Sequence, residues 1–384
     1  MDMKTIFRTG LIALAVLGLS SCAKEITVDQ VNPDTPIEFG TYLGRAAQTK
    51  AGVAKLEDGT YGLQKTGFGV YAYYTGQNSM GASATPNYMS NQLVEWKSSK
   101  WEYSPVKYWP NNTNDKVSFY AYAPYEDGAD PNTTNISVPD NTATGEPAIG
   151  FTVNETVVDQ TDLLYATALK DQTKPLKYTE KTTFTFNHAL SRVAFSVQLM
   201  ADAVNGDTTG STDDDTTVSG TINDTETTIA VTQVDLIGKF YNSGTLQLNG
   251  GTWTVLNAAE STDYTLASAN FNNDVASKVT ITDTALNKDD SYIMIIPKEF
   301  KESDMIKIRV TYTVTTTDTN LNEGKSEITN VIESTPFTFN FEQGKAYNFS
   351  LHLGLDSVQF EASVAPWADG TQADTAVNVP INAQ

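Results

Sequence analysis

From residue 35 onward, apolar side chains recur mostly at every second position. Ile37, Phe39 and Thr41 alternate with Glu38, Gly40 and Tyr42. A period of two puts one set of side chains on a single face of a strand, whereas a helix requires a period near 3.6. Residues 67–74, 101–103 and 116–124 predict further strands, with turn chemistry at Asn111-Asn112, Glu126-Asp127-Gly128 and Pro131-Asn132. Residues 162–169 fit either a helical turn or a strand. A second series begins near Thr183 with Phe184, Phe186 and the alternating 193–199. It resumes at 229–241, 245–248, 252–256, 275–281, 292–297, 306–316, 337–341 and 346–355. Between the two series, residues 201–228 form a polar excursion containing Asp213-Asp214-Asp215. It reads as a solvated loop, since a calcium loop would need alternating oxygen ligands.

No stretch sustains a helical period and no fixed repeat recurs, which disfavours solenoids and propellers. Short strands at this spacing predict an all-β chain of antiparallel sandwiches. With 384 residues, two domains are expected: 35–182 and 183–370, with 371–384 beyond them.

The first residues are different in kind. Lys4 and Arg8 precede an apolar run over 11–19, too short for the roughly 20 residues that span a bilayer. Leu19-Ser20-Ser21-Cys22 resembles a bacterial lipobox, giving a signal peptide over 1–21, a lipid-bearing Cys22 and a polar tether over 22–34. The plainer reading is an ordinary secretory signal with a chance cysteine.

Composition narrows the chemistry. The net charge of −21 argues against nucleic acid as a partner, because phosphate binding needs a basic footprint. A single cysteine excludes a disulfide framework and thiolate zinc clusters. The two histidines, His188 and His352, leave little for catalysis, and His188 among apolar neighbours reads as structural. No nucleophile elbow, phosphate loop or zinc-protease helix is present, so neither enzyme activity, cofactor nor metal is expected. The 53 threonines suit strands. Tyr108-Trp109-Pro110 and Trp367 read as core. Exposed tryptophans at Trp101 or Trp109 would instead make a glycan platform.

Both ends carry a second signal. Val377, Val379 and Ile381 alternate along the last residues, so a strand there presents one apolar face that must be covered. It pairs either within its own sheet or in a neighbour's groove, where backbone bonds give affinity and alternate side chains give specificity. Pro380 cannot donate a ladder bond, so that point lies at an edge or a bulge. Near the start, the small and polar residues 44–52 read as an accessible loop, with Arg45 or Lys50 suited to a trypsin-like protease.

Several motifs in order carry a resemblance. They are the lipobox at Cys22; Gly67-Phe-Gly-Val-Tyr-Ala-Tyr73; Trp101-Glu-Tyr-Ser-Pro-Val-Lys-Tyr-Trp-Pro110; and Val117-Ser-Phe-Tyr-Ala-Tyr-Ala-Pro124. Asp162-Leu-Leu-Tyr-Ala166, Phe184-Thr-Phe-Asn-His-Ala-Leu-Ser-Arg-Val193, Gly344-Lys-Ala-Tyr-Asn348 and Val364-Ala-Pro-Trp-Ala-Asp-Gly370 continue the series. Together they resemble the fimbrillin family, the Mfa-like type V pilins of Bacteroidales surface fimbriae. The resemblance implies two tandem transthyretin-like β-sandwiches behind a lipoprotein signal peptide. It implies export as an outer-membrane lipoprotein, then cleavage after an arginine, here Arg45 with Lys50 as the alternative. Cleavage would remove the strand 35–45, with Ile37, Phe39 and Leu43 on it. Val377, Val379 and Ile381 would be the donor side chains that refill the slot of another fimbrial subunit. The fimbrium would then mediate adhesion to a host or bacterial surface ligand. The competing reading is a non-polymerising surface lipoprotein, an adhesin or tip subunit, that binds glycan or protein.

Overall fold

The computed structural model describes residues 35–42, 62–128, 135–177, 179–200, 221–222, 225–259, 261–272, 279–280, 282–288, 291–318, 320–355 and 358–366. Among them the only α-helix is the short Gly62–Thr66, and strands dominate.

The largest sheet has eight strands. Its order is Phe39–Tyr42, Thr182–His188, Leu164–Ala166, Lys116–Ala123, Phe68–Gly76, Met89–Lys97 and Lys100–Glu102, with Leu169–Gln172 also on Lys116–Ala123. Its middle strands are buried on both faces, so Phe68–Gly76 and Lys116–Ala123 show almost unbroken burial rather than alternation. One face carries Phe68, Val70 and Ala72 with Val117, Phe119 and Ala121. The other carries Tyr71, Tyr73, Tyr120 and Tyr122, which merge with the core of the later strands.

Two five-stranded sheets follow. One runs Thr284–Ala285, Ser191–Leu199, Lys345–Leu353, Val358–Pro366, with Ile293–Ile295 also on Ser191–Leu199. The other runs Thr221–Ile222, Thr225–Gly238, Lys307–Asp318, Lys325–Glu333, with Thr262–Ala267 on the far side of Thr225–Gly238. A four-stranded sheet, Thr252–Ala258, Tyr241–Gln247, Ala148–Thr152, Ile136–Ser137, draws on both halves of the sequence, and Lys298–Phe300 pairs with Phe339–Phe341.

Three features depart from the sequence pattern. Thr182–His188 belongs to the first sheet, so the chain changes sheets at Ala189-Leu190 rather than at Thr183. That crossing is fixed by Ala189 N–H donating to Leu163 O at 2.8 Å and Trp253 Nε1 donating to Ala189 O at 2.8 Å. Next to it, His188 Nδ1 sits 2.9 Å from an Asp162 carboxylate oxygen. Second, two pairings are parallel: Phe39–Tyr42 on Thr182–His188, and Ser191–Leu199 on Lys345–Leu353. Alternation along a strand carries no information about its neighbour's direction. Third, Lys325–Glu333 is a nine-residue strand although its sequence hardly alternates, because most of it is exposed.

The tyrosine-rich face has a consequence in alkali. Burial pushes the phenols of Tyr71, Tyr120 and Tyr122 up, and those of Tyr73 and Tyr103 up to about 12. A folded-state value above the unfolded value near 10 stabilises the fold below pH 10, and that contribution is lost as pH rises from 10 toward 12. The expected result is a cooperative loss of near-ultraviolet circular dichroism above pH 10, with the buried phenolates appearing only as the chain unfolds. Smooth titration of every tyrosine near pH 10 with the dichroism retained would contradict the burial.

Candidate functional site: the slot of the first strand

The eight described residues 35–42 form a segment filling a slot in the first sheet. Thr35, Ile37 and Phe39 are buried at 2%, 1% and 1% exposure, while Glu38 and Tyr42 face solvent. The alternation read from the sequence is thus the alternation between slot and solvent.

Backbone bonds hold the segment on two sides. On one side it runs parallel to Thr182–His188, with Phe39 beside Thr182 and Thr41 beside Phe184. Thr182 N–H donates to Glu38 O at 2.8 Å. On the other side lies the irregular stretch 107–109, antiparallel to it. Ile37 N–H donates to Lys107 O at 2.8 Å, Trp109 N–H donates to Thr35 O at 2.9 Å, and Pro36 bridges Tyr108. Pro36 has no N–H, and this register asks none of it.

Side chains complete the slot. The Tyr103 hydroxyl donates to Ile37 O at 2.8 Å, and Trp101 Nε1 donates to Thr41 Oγ1 at 3.1 Å. The Phe39 ring stacks on Phe184 at 5.5 Å and meets Tyr103 at 5.3 Å, with Phe119 and Phe68 edge-on at 6.1 and 6.3 Å. A Cβ on Gly40 would come within 3.0 Å of Thr183 Oγ1, so a small residue lets the parallel neighbours approach here. Beside the slot lies a cleft of 320 Å³ whose lining includes Trp109, Leu169, Lys174, Leu176 and Thr182.

Withdrawal of residues 35–42 would uncover an aromatic trough together with the N–H groups of Thr182 and Trp109 and the carbonyl of Lys107. Unpaired strand edges of that sort accept another strand readily.

Ile37 and Phe39 therefore sit together in one site. Cys22, Leu43, Arg45, Lys50, Val377, Val379 and Ile381 lie outside the described residues. The chain reaches its last described residue, Pro366, opposite Lys345 at a sheet edge. A second cleft, of 440 Å³, lies there among Phe300, Phe339, Tyr347, Ala362 and Val364.

The structure does not support the exposed-tryptophan platform. Trp109 is 5% exposed and packs on Phe119 at 5.7 Å. Trp101 is wedged between Phe68 at 4.9 Å and Trp96 at 5.1 Å. Among the described residues no group of three or more His, Cys, Asp or Glu side chains could hold a metal ion. No helix among them is long and apolar enough to cross a membrane.

Tyr103, Lys107, Thr182 and Phe184 were not foreseen as partners of the first strand. Their aromatic and strand character is visible in the sequence, but nothing local says which strand they receive.

Comparison with known proteins bears on the same architecture. A family model described as fimbrillin-like matches residues 55–367. The fimbrium subunit Fim1C of Phocaeicola vulgatus is 27% identical over 399 aligned residues, covering 95% of this chain and 97% of that protein. The crystal structure of a fimbrial protein from Bacteroides vulgatus superposes with a TM-score of 0.64 at 21% identity, covering 87% of this chain and 99% of the other.

Proposed function

Because the chain belongs to the fimbrillin-like family, a family of fimbrial and adhesion proteins rather than enzymes, we propose that it is a polymerising stalk or accessory subunit of a cell-surface fimbria. It exchanges its first strand for the last strand of a neighbour. In this reading the precursor is carried to the outer membrane on a lipid at Cys22. A protease then cuts after Arg45, with Lys50 as the second choice. The cut separates the strand 35–45, including Ile37, Phe39 and Leu43, and the lipid leaves with it. The open slot takes Val377, Val379 and Ile381 of another subunit, so each subunit is both acceptor and donor. Such a head-to-tail contact does not close on itself and propagates a filament.

The observation that carries the proposal is the slot itself. Residues 35–42 are bonded on both sides and buried by alternate side chains, and in the sequence residues 43–61 link them to the helix Gly62–Thr66. Both basic candidates for cleavage, Arg45 and Lys50, fall in the intervening stretch. A cut there leaves the first strand held by non-covalent contacts alone.

The tail offers a matching pattern. Val379-Pro380-Ile381 repeats the form of Thr35-Pro36-Ile37. Laid over one another in the same direction, Pro380 takes the place of Pro36, where no N–H is required. Ile381 N–H then faces Lys107 O, and the carbonyls of Val379 and Asn382 face the N–H groups of Trp109 and Thr182.

The test uses the purified full chain, digested briefly with trypsin and followed by gel electrophoresis and N-terminal sequencing. The expected outcome is a ladder of oligomers whose subunits begin at Ala46, or at Ala51 if Lys50 is the site. A trimmed chain with either N-terminus that stays monomeric would overturn the reading.

A further inference from the structure

Among the described residues, Lys325–Glu333 is the last strand of its sheet, paired with Lys307–Asp318 and with no strand on its other side. Ile328 and Val331 on it are each 60% exposed. Nine residues is long for an edge strand, and an exposed apolar edge invites pairing with another chain.

The hydrogen-bond phase of this edge follows from one contact. Ser334 N–H donates to Ile308 O at 2.8 Å, and the register runs without a shift from Arg309 opposite Glu333 to Thr317 opposite Lys325. Paired residues of an antiparallel ladder alternate between those bonded inward and those whose N–H and C=O point away. Ser334 is bonded inward, and so are Ile332, Asn330, Ile328 and Ser326. Lys325, Glu327, Thr329, Val331 and Glu333 thus turn their backbone groups outward.

We propose that this edge pairs antiparallel with the same edge of a second copy of the chain, about a two-fold axis at Thr329. That register places Thr329 opposite Thr329 of the partner subunit and Lys325 opposite the partner's Glu333. Glu327 then lies opposite the partner's Val331, so all five outward residues find a bonded partner. No like charges face one another. Centring the axis on Glu327 would set two glutamates face to face, and centring it on Val331 would leave Lys325 beyond the end of the strand.

The charges support the same register. Glu333 lies 2.8 Å from Lys307 and 3.5 Å from Arg309, and Arg309 also holds Asp235 at 2.8 Å and Asp263 at 3.2 Å. Three carboxylates there face two cations, leaving a net negative site for an incoming ammonium group. Lys325 is 54% exposed and contacts Glu327 of its own strand at 2.9 Å. On the opposite face, the two copies of Ile328 become diagonal neighbours, within the roughly 7–8 Å over which long side chains interact across strands.

The contact is isologous and closes as a pair, so it is a lateral association distinct from filament growth. It does not depend on strand exchange, cleavage or the tail.

Site-directed cross-linking tests the register in the full chain carrying Cys22→Ser, which removes its single natural cysteine. Residues opposite one another in a bonded pair have Cα atoms about 5.5 Å apart, inside the 4.4–6.8 Å range of disulfides. Thr329→Cys alone is expected to give a covalent dimer under mild oxidation. Glu327→Cys alone is not, since two copies of residue 327 lie ~13 Å apart along the strands. A mixture of Glu327→Cys and Val331→Cys chains is expected to cross-link. Sedimentation of the Cys22→Ser parent is expected to show a concentration-dependent dimer, weakened about tenfold by Lys325→Glu and restored when Lys325→Glu chains also carry Glu333→Lys. A parent that stays monomeric at millimolar concentration, or a Glu327→Cys chain that links to itself as fast as Thr329→Cys, would overturn the proposal.

Discussion

Replacing Phe39 by Ala is expected to destabilise the uncleaved chain by about 3–5 kcal/mol, the usual cost of truncating a buried phenylalanine, while leaving the assembled fimbria as stable as before. Phe39 is 1% exposed and touches Phe184, Tyr103, Phe119 and Phe68. Three of the four rings around it stand on strands of one hydrogen-bonded sheet, which cannot close up far enough to fill the void. Under the proposed exchange the first strand leaves on assembly, so the substituted side chain is no longer part of the molecule. The weakened strand should also depart sooner after cleavage, by roughly a hundredfold to a thousandfold if most of the loss falls on its dissociation. Denaturant unfolding of the precursor, set beside thermal dissociation of the polymer, separates the two states. A polymer of Phe39→Ala subunits that melts as early as its precursor would show that the first strand never leaves.

The first strand was legible because its slot buries one face only. Thr35, Ile37 and Phe39 are inward and Glu38 and Tyr42 outward, and the sequence alternates accordingly. What receives the strand was not legible. Tyr103, the stretch 107–109 and Thr182–His188 reach it from distant parts of the chain, and long-range pairing leaves no local periodicity. Residues 67–74 and 116–124 read as alternating strands, whereas both faces of Phe68–Gly76 and Lys116–Ala123 are buried and their burial is nearly continuous. The edge strand Lys325–Glu333 was missed for the opposite reason. With solvent on much of its surface, nothing constrains its residues to alternate, so Lys-Ser-Glu-Ile-Thr-Asn-Val-Ile-Glu reads as a polar connection. The division at Thr183 does not match the sheets because a lone Asn187, with no Gly or Pro beside it, is a weak turn signal for the crossing at Ala189-Leu190. Only the bonds of Ala189 to Leu163 and Trp253 mark it.

The tail admits a sharper trial than its deletion. If Val379-Pro380-Ile381 takes the place of Thr35-Pro36-Ile37, substitutions along it must alternate in effect with a period of two. Ile381 would occupy the position of Ile37, which is 1% exposed. Ile381→Asp would forfeit about 2–3 kcal/mol of apolar burial and set a carboxylate in an aromatic trough without a partner, at a further cost of several kcal/mol. The concentration of cleaved subunit needed for assembly should therefore rise more than a hundredfold, at about 1.4 kcal/mol per factor of ten. Asn382 would overlie Glu38, which is exposed and already carries a carboxylate. Asn382→Asp should change that concentration by no more than about threefold, the scale of a surface substitution of about 0.5 kcal/mol. The pair controls for its own added charge, since both variants gain one aspartate on the same segment. If Asn382→Asp blocks assembly and Ile381→Asp does not, the tail enters in the opposite phase and the proline overlay is wrong. If both assemble normally, the slot is refilled by some other segment. Only the predicted asymmetry, with the inward residue intolerant and its immediate neighbour indifferent, matches a strand whose alternate side chains fill the space that Thr35 and Ile37 leave behind.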